Sequence, residues 1–219
     1  MSVKAWLCRL TGAMLVGLLP LTACDDDGTA GPPAEPLPGL EFSYAGDISG
    51  DYQSDGRLPT IGGNGRPEFG SWALARPDSL GGLVITGFDG EVGGFGPVDN
   101  GLGDVLILQL NHIREGSFES CGSSGSSGCH GRFFVGVVLI DLSIVQEAFE
   151  ITAGRVEIDD ISGSRVRGSF EATFTNDDGS RTITVIDGVI DVPFSLNHTV
   201  SKSVGCLARN LEAGTNTPC

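Results

Sequence analysis

The chain has 219 residues, with 13 Lys and Arg against 28 Asp and Glu and a formal net charge of −15. Its 34 glycines exclude a long-helix protein, since each interior glycine costs a helix about 1 kcal/mol, and its 40% hydrophobic content excludes wholesale disorder. The acidic balance, with no basic cluster anywhere, excludes nucleic acid as a partner.

The N-terminus is the most specific stretch. Lys4 and Arg9 precede an apolar run from Leu10 to Leu19, which is far short of the roughly 20 residues that span a bilayer and has the form of a signal segment. Leu21-Thr22-Ala23-Cys24 follows. This resembles the lipobox of bacterial lipoproteins, in which a peptidase cuts before a cysteine that already carries a diacylglycerol. The resemblance implies a signal peptide at 1–23, a palmitate-type acylated Cys24 as the mature N-terminus, and the lipid bilayer as a partner. Two or more acyl chains suffice for stable anchoring. Loss of Lys4 and Arg9 leaves 11 basic against 28 acidic residues, a net of −17. Asp25-Asp26-Asp27 resembles an inner-membrane retention signal in some bacteria and a surface-export signal in others. The Gly-rich, Lys-poor mature chain favours the outer membrane or cell surface over the inner membrane.

Residues 24–39 read as the lipidated cysteine and a tether, because four prolines between Gly28 and Gly39 favour an extended spacer. A single all-β domain is expected from 40 to 219, ending in a disulfide-tied C-terminal tail. Strand patterns fall at 40–46, 69–76, 82–88, 104–114, 132–141, 149–159, 164–175 and 181–196. In 164–175, Val166, Phe170, Ala172 and Phe174 share one face, while Arg165, Arg167, Glu171 and Thr173 share the other. That is an antiparallel strand with one wet side. Leu106, Leu108 and Leu110 alternate likewise. Phe133 to Ile140 is almost continuously apolar and predicts a central strand buried on both faces. Parity shifts across Gly154 and Gly188 predict bulges, the second where the strand passes from one part of the fold to another. Asn176-Asp177-Asp178-Gly179 predicts a hairpin. Only 142–150 offers a short helix. The expected fold is an antiparallel β-sandwich or barrel of about eight strands.

Ile161-Ser162-Gly163, Val166-Arg167-Gly168-Ser169-Phe170 and Asp187-Gly188-Val189-Ile190-Asp191-Val192-Pro193 resemble the end of a group of bacterial lipoprotein domains of unknown function. The resemblance implies a β-sandwich and no particular activity.

Four cysteines remain beyond the signal and the anchor: Cys121, Cys129, Cys206 and Cys219. In an oxidising compartment they predict disulfides, and proximity favours Cys121–Cys129 and Cys206–Cys219. The alternative, a metal site of Cys121, Cys129 and His130, fits no zinc spacing. His112 follows the Leu106–Leu110 alternation and reads as a rim residue. No catalytic residue is singled out, since nucleophile elbow, P-loop and paired histidines are all missing from the sequence. Asp159-Asp160 and Asp177-Asp178 read as turn formers. Asp89, Glu91, Asp99 and Asp104 offer oxygen ligands on a glycine-rich loop and are candidates for Ca²⁺, although their spacing fits no calcium loop; otherwise no cofactor is expected. The favoured function is a lipid-anchored, non-enzymatic binding or structural module for an unknown protein, glycan or small molecule. The alternatives are a β-barrel carrier of a small apolar ligand and an extracytoplasmic hydrolase with a carboxylate site.

Overall fold

Alternating apolar positions can be buried only by closing a sheet on itself or covering it, and this chain does both. The structure is a computed structural model and describes residues 38–61, 70–90, 102–122, 128–138 and 147–213. Ten strands run in chain order, β1 (Leu40–Gly46), β2 (Gly50–Ser54), β3 (Trp72–Pro77), β4 (Leu83–Gly90), β5 (Leu102–Leu110), β6 (Gly116–Glu119), β7 (Cys129–Val138), β8 (Glu147–Ser162), β9 (Arg165–Asn176) and β10 (Thr182–Pro193), followed by helix α1 (His198–Ala213). Nine of them form one sheet in the order β2-β1-β10-β9-β8-β7-β5-β4-β3, and β6 pairs with β8 off this path. The strand pairs are antiparallel throughout.

The two edge strands meet, so the sheet is a nearly closed barrel. Ala73 N donates to Asp55 O at 2.6 Å, Asp55 N to Ser71 Oγ at 2.8 Å and Gln53 N to Asp89 Oδ2 at 2.9 Å. Just past β10, Phe194 makes a parallel bridge with Ala75, and Ser195 N donates to Ala75 O at 2.8 Å.

The expected faces hold. Val166, Phe170, Ala172 and Phe174 all point into the barrel core, as do Leu106, Leu108 and Leu110. Phe133 lies in that core, while Phe134 and Val137 lie in a second cluster outside the wall. Gly179, at φ 73°, closes the β9–β10 hairpin. Both expected irregularities are present. β8 shifts register between Ile151 and Ala153 and exchanges its partner β7 for β6. β10 shifts between Val185 and Gly188, with the left-handed backbone at Asp187, φ 58°. Here the expectation of a passage to another part of the fold is corrected. β10 keeps β9 and β1 as neighbours on both sides of the bulge. The extra residue restores inward orientation, so Ile183, Val185, Ile190 and Val192 all reach one core. Gly188 is glycine because the Phe170 ring lies over it, 2.4 Å from where a Cβ would stand.

Two further expectations are corrected. The short helix at 142–150 is overturned for Glu147–Glu150, which is strand paired with β7; the rest of it lies outside the described residues. Within the expected tail, His198–Ala213 is instead the helix α1; residues 214–219 lie outside the described residues. Asn197 caps it, its Oδ1 accepting from Thr199 N at 3.0 Å and Val200 N at 3.3 Å. Val200, Val204, Leu207, Ala208 and Leu211 form its apolar stripe and pack on Trp72, Leu74, Val84, Phe88, Val105, Ile107, Phe134 and Val137. Strands β2 and β6 add to the eight expected. Both are short, and each carries only one or two inward residues.

Candidate functional site

The sheet register sorts the loops to two ends. Pro38, which leads into β1, lies at the same end as the β3–β4 turn (78–82), residues 111–115, the β8–β9 turn and residues 194–197. The opposite end carries the β1–β2 turn and the β9–β10 hairpin, and polar side chains converge inside the barrel there.

Asp89 and Asp104 are directly opposed across β4 and β5, on the inward parity of Ile85 and Leu106. Asp104 accepts a hydrogen bond from Gly136 N at 2.9 Å. Burial, and then the neighbouring Asp89 charge, push its carboxyl above the ordinary Asp value despite that bond. Tyr44 lies beside them. Its hydroxyl is pushed up by burial and by the Asp104, Asp51 and Asp89 charges, and Asp51 accepts from Ser43 Oγ at 2.6 Å. One layer deeper, Tyr52 is fully buried and its hydroxyl is held well above its ordinary value, chiefly by that burial. The Tyr52 hydroxyl makes no well-formed hydrogen bond; its favourable neighbours are the Ser54 side chain and the Leu106 backbone. It faces Gly87, where an added Cβ would stand 2.7 Å from the hydroxyl oxygen and 2.5 Å from Leu40.

Below this layer aromatic rings from several strands meet inside the barrel. Phe42 stacks on Tyr52 with centroids 4.6 Å apart and meets Phe133 edge-on at 5.5 Å and Phe170 at 5.4 Å. β1 and β7 are not neighbours in the sheet, so the Phe42–Phe133 contact crosses the interior. Tyr44 reaches Phe133 from the acidic side at 5.2 Å.

Of the four calcium candidates, the structure brings Asp89 and Asp104 together; Glu91 and Asp99 lie outside the described residues. Among the described residues no group of three His, Cys, Asp or Glu is placed to hold a metal ion. Cys121 and Cys129 are joined by a disulfide with Cα atoms 4.6 Å apart. Both sulfurs face the core. His130, next along β7, points to the other face and lies 3.7 Å from Glu150, because successive strand residues alternate sides. Cys206 is disulfide-bonded as well. Cys24 and Cys219 are themselves outside the described residues. His112 is exposed just past the end of β5. Asp160 and Asp177 are held by Arg167 at 3.0 Å and Arg132 at 3.6 Å, and Asp178 accepts from Ser180 N at 2.8 Å. Each serves a turn.

Sequence reading missed two features. On the outer wall, Gln109, His130, Arg132, Glu150 and Glu212 line an open polar hollow of about 280 Å³. At the Pro38 end, Arg165 forms an ion pair with Asp191 and donates to Pro38 O at 2.9 Å and Gly56 O at 3.5 Å, tying the entering chain to β9, β10 and the β2–β3 connection. Its partners stand 26, 109 and 127 residues away in sequence, so no local spacing signals it. Compared with known proteins, the chain matches no family, no curated protein and no solved structure.

Proposed function

We propose that this is a lipid-anchored protein of the bacterial cell envelope, held by an acylated Cys24, whose barrel is a non-enzymatic binding or structural module. The anchor reading rests on Leu21-Thr22-Ala23-Cys24 and the apolar segment before it. The module reading is carried by one observation: rings from β1, β2, β7 and β9 meet in the barrel interior. The rings meeting there support recognition at the outer surface and at the acidic end, where Asp51, Asp89, Asp104 and Tyr44 gather. The same end favours a cation or a basic partner over an anionic one. The barrel carrier is the second reading, and the barrel form alone supports it.

The test is the mass of the mature N-terminal peptide from protein made in a bacterium that processes lipoproteins. The expected result is a chain beginning at Cys24 with acyl groups attached, sedimenting with membranes, while Cys24→Ala is released as soluble protein. An unacylated N-terminus elsewhere would overturn the anchor.

A further inference from the structure

We infer that the Pro38 end of the barrel rests on the bilayer through three loop tips, with the acidic end pointing away; this builds on the anchor proposed above. The first support is a group of exposed apolar side chains at one end, apart from Ile186 and Val189 on the β10 wall. Leu80 at the β3–β4 turn is 92% exposed, Leu196 after β10 is 74% exposed and Ile113 after β5 is 38% exposed. These residues come from three separate connections, yet the register places all of them at one end. Leu83 pairs with Leu110, which sets the 78–82 turn beside residues 111–115. Phe194 bridges in parallel to Ala75, so Leu196 follows the direction in which β3 runs toward that turn. Ile161 N donates to Glu115 Oε1 at 3.2 Å, joining the 111–115 loop to the β8–β9 end.

The second support is where the chain enters. Arg165, at that same β8–β9 end, holds Pro38 O. From Cys24 to Pro38 there are 14 residue steps, a reach of at most about 50 Å. A twelve-residue strand such as β9 still covers about 30 Å of barrel height when tilted as barrel strands are. A tether leaving from the Pro38 end reaches a bilayer there at once; one serving the opposite end would be largely spent passing the barrel.

Charge supplies the third. Asp47, Asp51, Asp89, Asp104, Glu147, Asp177 and Asp178 lie toward the far end, against Arg132 and Arg181. At the Pro38 end Arg57, Arg76, Arg114, Arg165 and Arg167 nearly offset Asp55, Asp78, Glu115, Asp159, Asp160 and Asp191. An anionic bilayer repels the first end and tolerates the second over the Debye length of about 8–10 Å.

Tryptophan reports the contact directly, because the mature chain's own Trp72 is buried under α1 and gives a constant background. Acylated Leu80→Trp, Leu196→Trp and Ile186→Trp proteins are inserted in vesicles of phosphatidylethanolamine and phosphatidylglycerol with brominated acyl chains. Ile186 is 64% exposed on the barrel wall and serves as the control. The expected result is loss of the added emission at 80 and 196 but not at 186. Emission kept at all three positions in protein that floats with the vesicles overturns the orientation and leaves the anchor standing; equal loss at all three does the same. Protein that lacks acyl mass and does not float overturns the anchor, and the orientation with it.

Discussion

Two walls of the barrel are built from the same strand geometry but read differently. On the bare wall, β8, β9 and β10 bury one face only; along β9 Arg167, Ser169, Glu171 and Thr173 face out while Val166, Phe170, Ala172 and Phe174 face in. On the covered wall, β3, β4, β5 and β7 bury both faces. Leu83 and Ile85 point inward, whereas Val84 and Phe88 meet the helix α1. Alternation is a local signal and is complete on the bare wall. A strand buried on both sides gives a continuous apolar run, which states that something covers it without naming the cover.

That difference sets an order of expected effects. The largest belongs to Phe133, which is fully buried on the inner face of the covered wall and touches rings from three other strands. Phe133→Ala is expected to lower unfolding free energy by about 3–5 kcal/mol in denaturant titration. Leu207→Ala, on the outer side of the same wall, removes packing between α1 and the barrel and is expected to cost about 2–3 kcal/mol. Hydrogen exchange should then rise first in α1 and in the outward residues of β3 and β4. Equal exchange across β8–β10 would show that the two cores are one cooperative unit. Thr86 has the opposite sign. Its hydroxyl is buried on the covered wall without a hydrogen-bond partner among the described residues, so Thr86→Val, of similar shape, is expected to raise stability by about 1 kcal/mol.

Asp104 gives a pH signature. Its folded pKa is raised by burial, so the folded state holds its proton more tightly than the unfolded chain. The resulting penalty is absent below the ordinary Asp value, grows as pH rises toward the raised folded value, and is full above it. Asp104→Asn keeps an acceptor for Gly136 N and should therefore be the more stable protein at neutral pH, the advantage disappearing in acid. A thermal melt series against pH reads this. The smallest effect is expected on the bare wall. Arg155 and Glu171 are about half exposed, and Glu171→Gln should change stability by no more than about 0.5 kcal/mol.

Most of the barrel was legible because its strands carry period-two patterns that need only neighbouring residues. The bulges were legible as changes of parity, although the destination of β10 was not: parity records a flip without recording that the partners stay the same. The helix α1 does carry its own signature, with Asn197 as cap and apolar residues at 200, 204, 207, 208 and 211. Glycine, serine, threonine and a disulfide cysteine within the same stretch weaken its propensity and let a tail reading prevail. At the acidic end, Asp89 and Asp104 were named from one loop, while Tyr44 and Asp51 were not. They arrive through the β1–β2 hairpin, whose second strand is only five residues long. The Arg165 clamp was read as one wet-face charge, since its partners are brought to it only by the closed sheet.

The central proposal is that aromatic rings fill this barrel, so that recognition is left to its outside. Native mass spectrometry of the acylated protein, purified from membranes in mild detergent, tests it most directly. The account predicts the mass of the polypeptide from Cys24 plus its acyl groups and nothing else. A stoichiometric apolar molecule released only on unfolding would contradict it and make the protein a carrier.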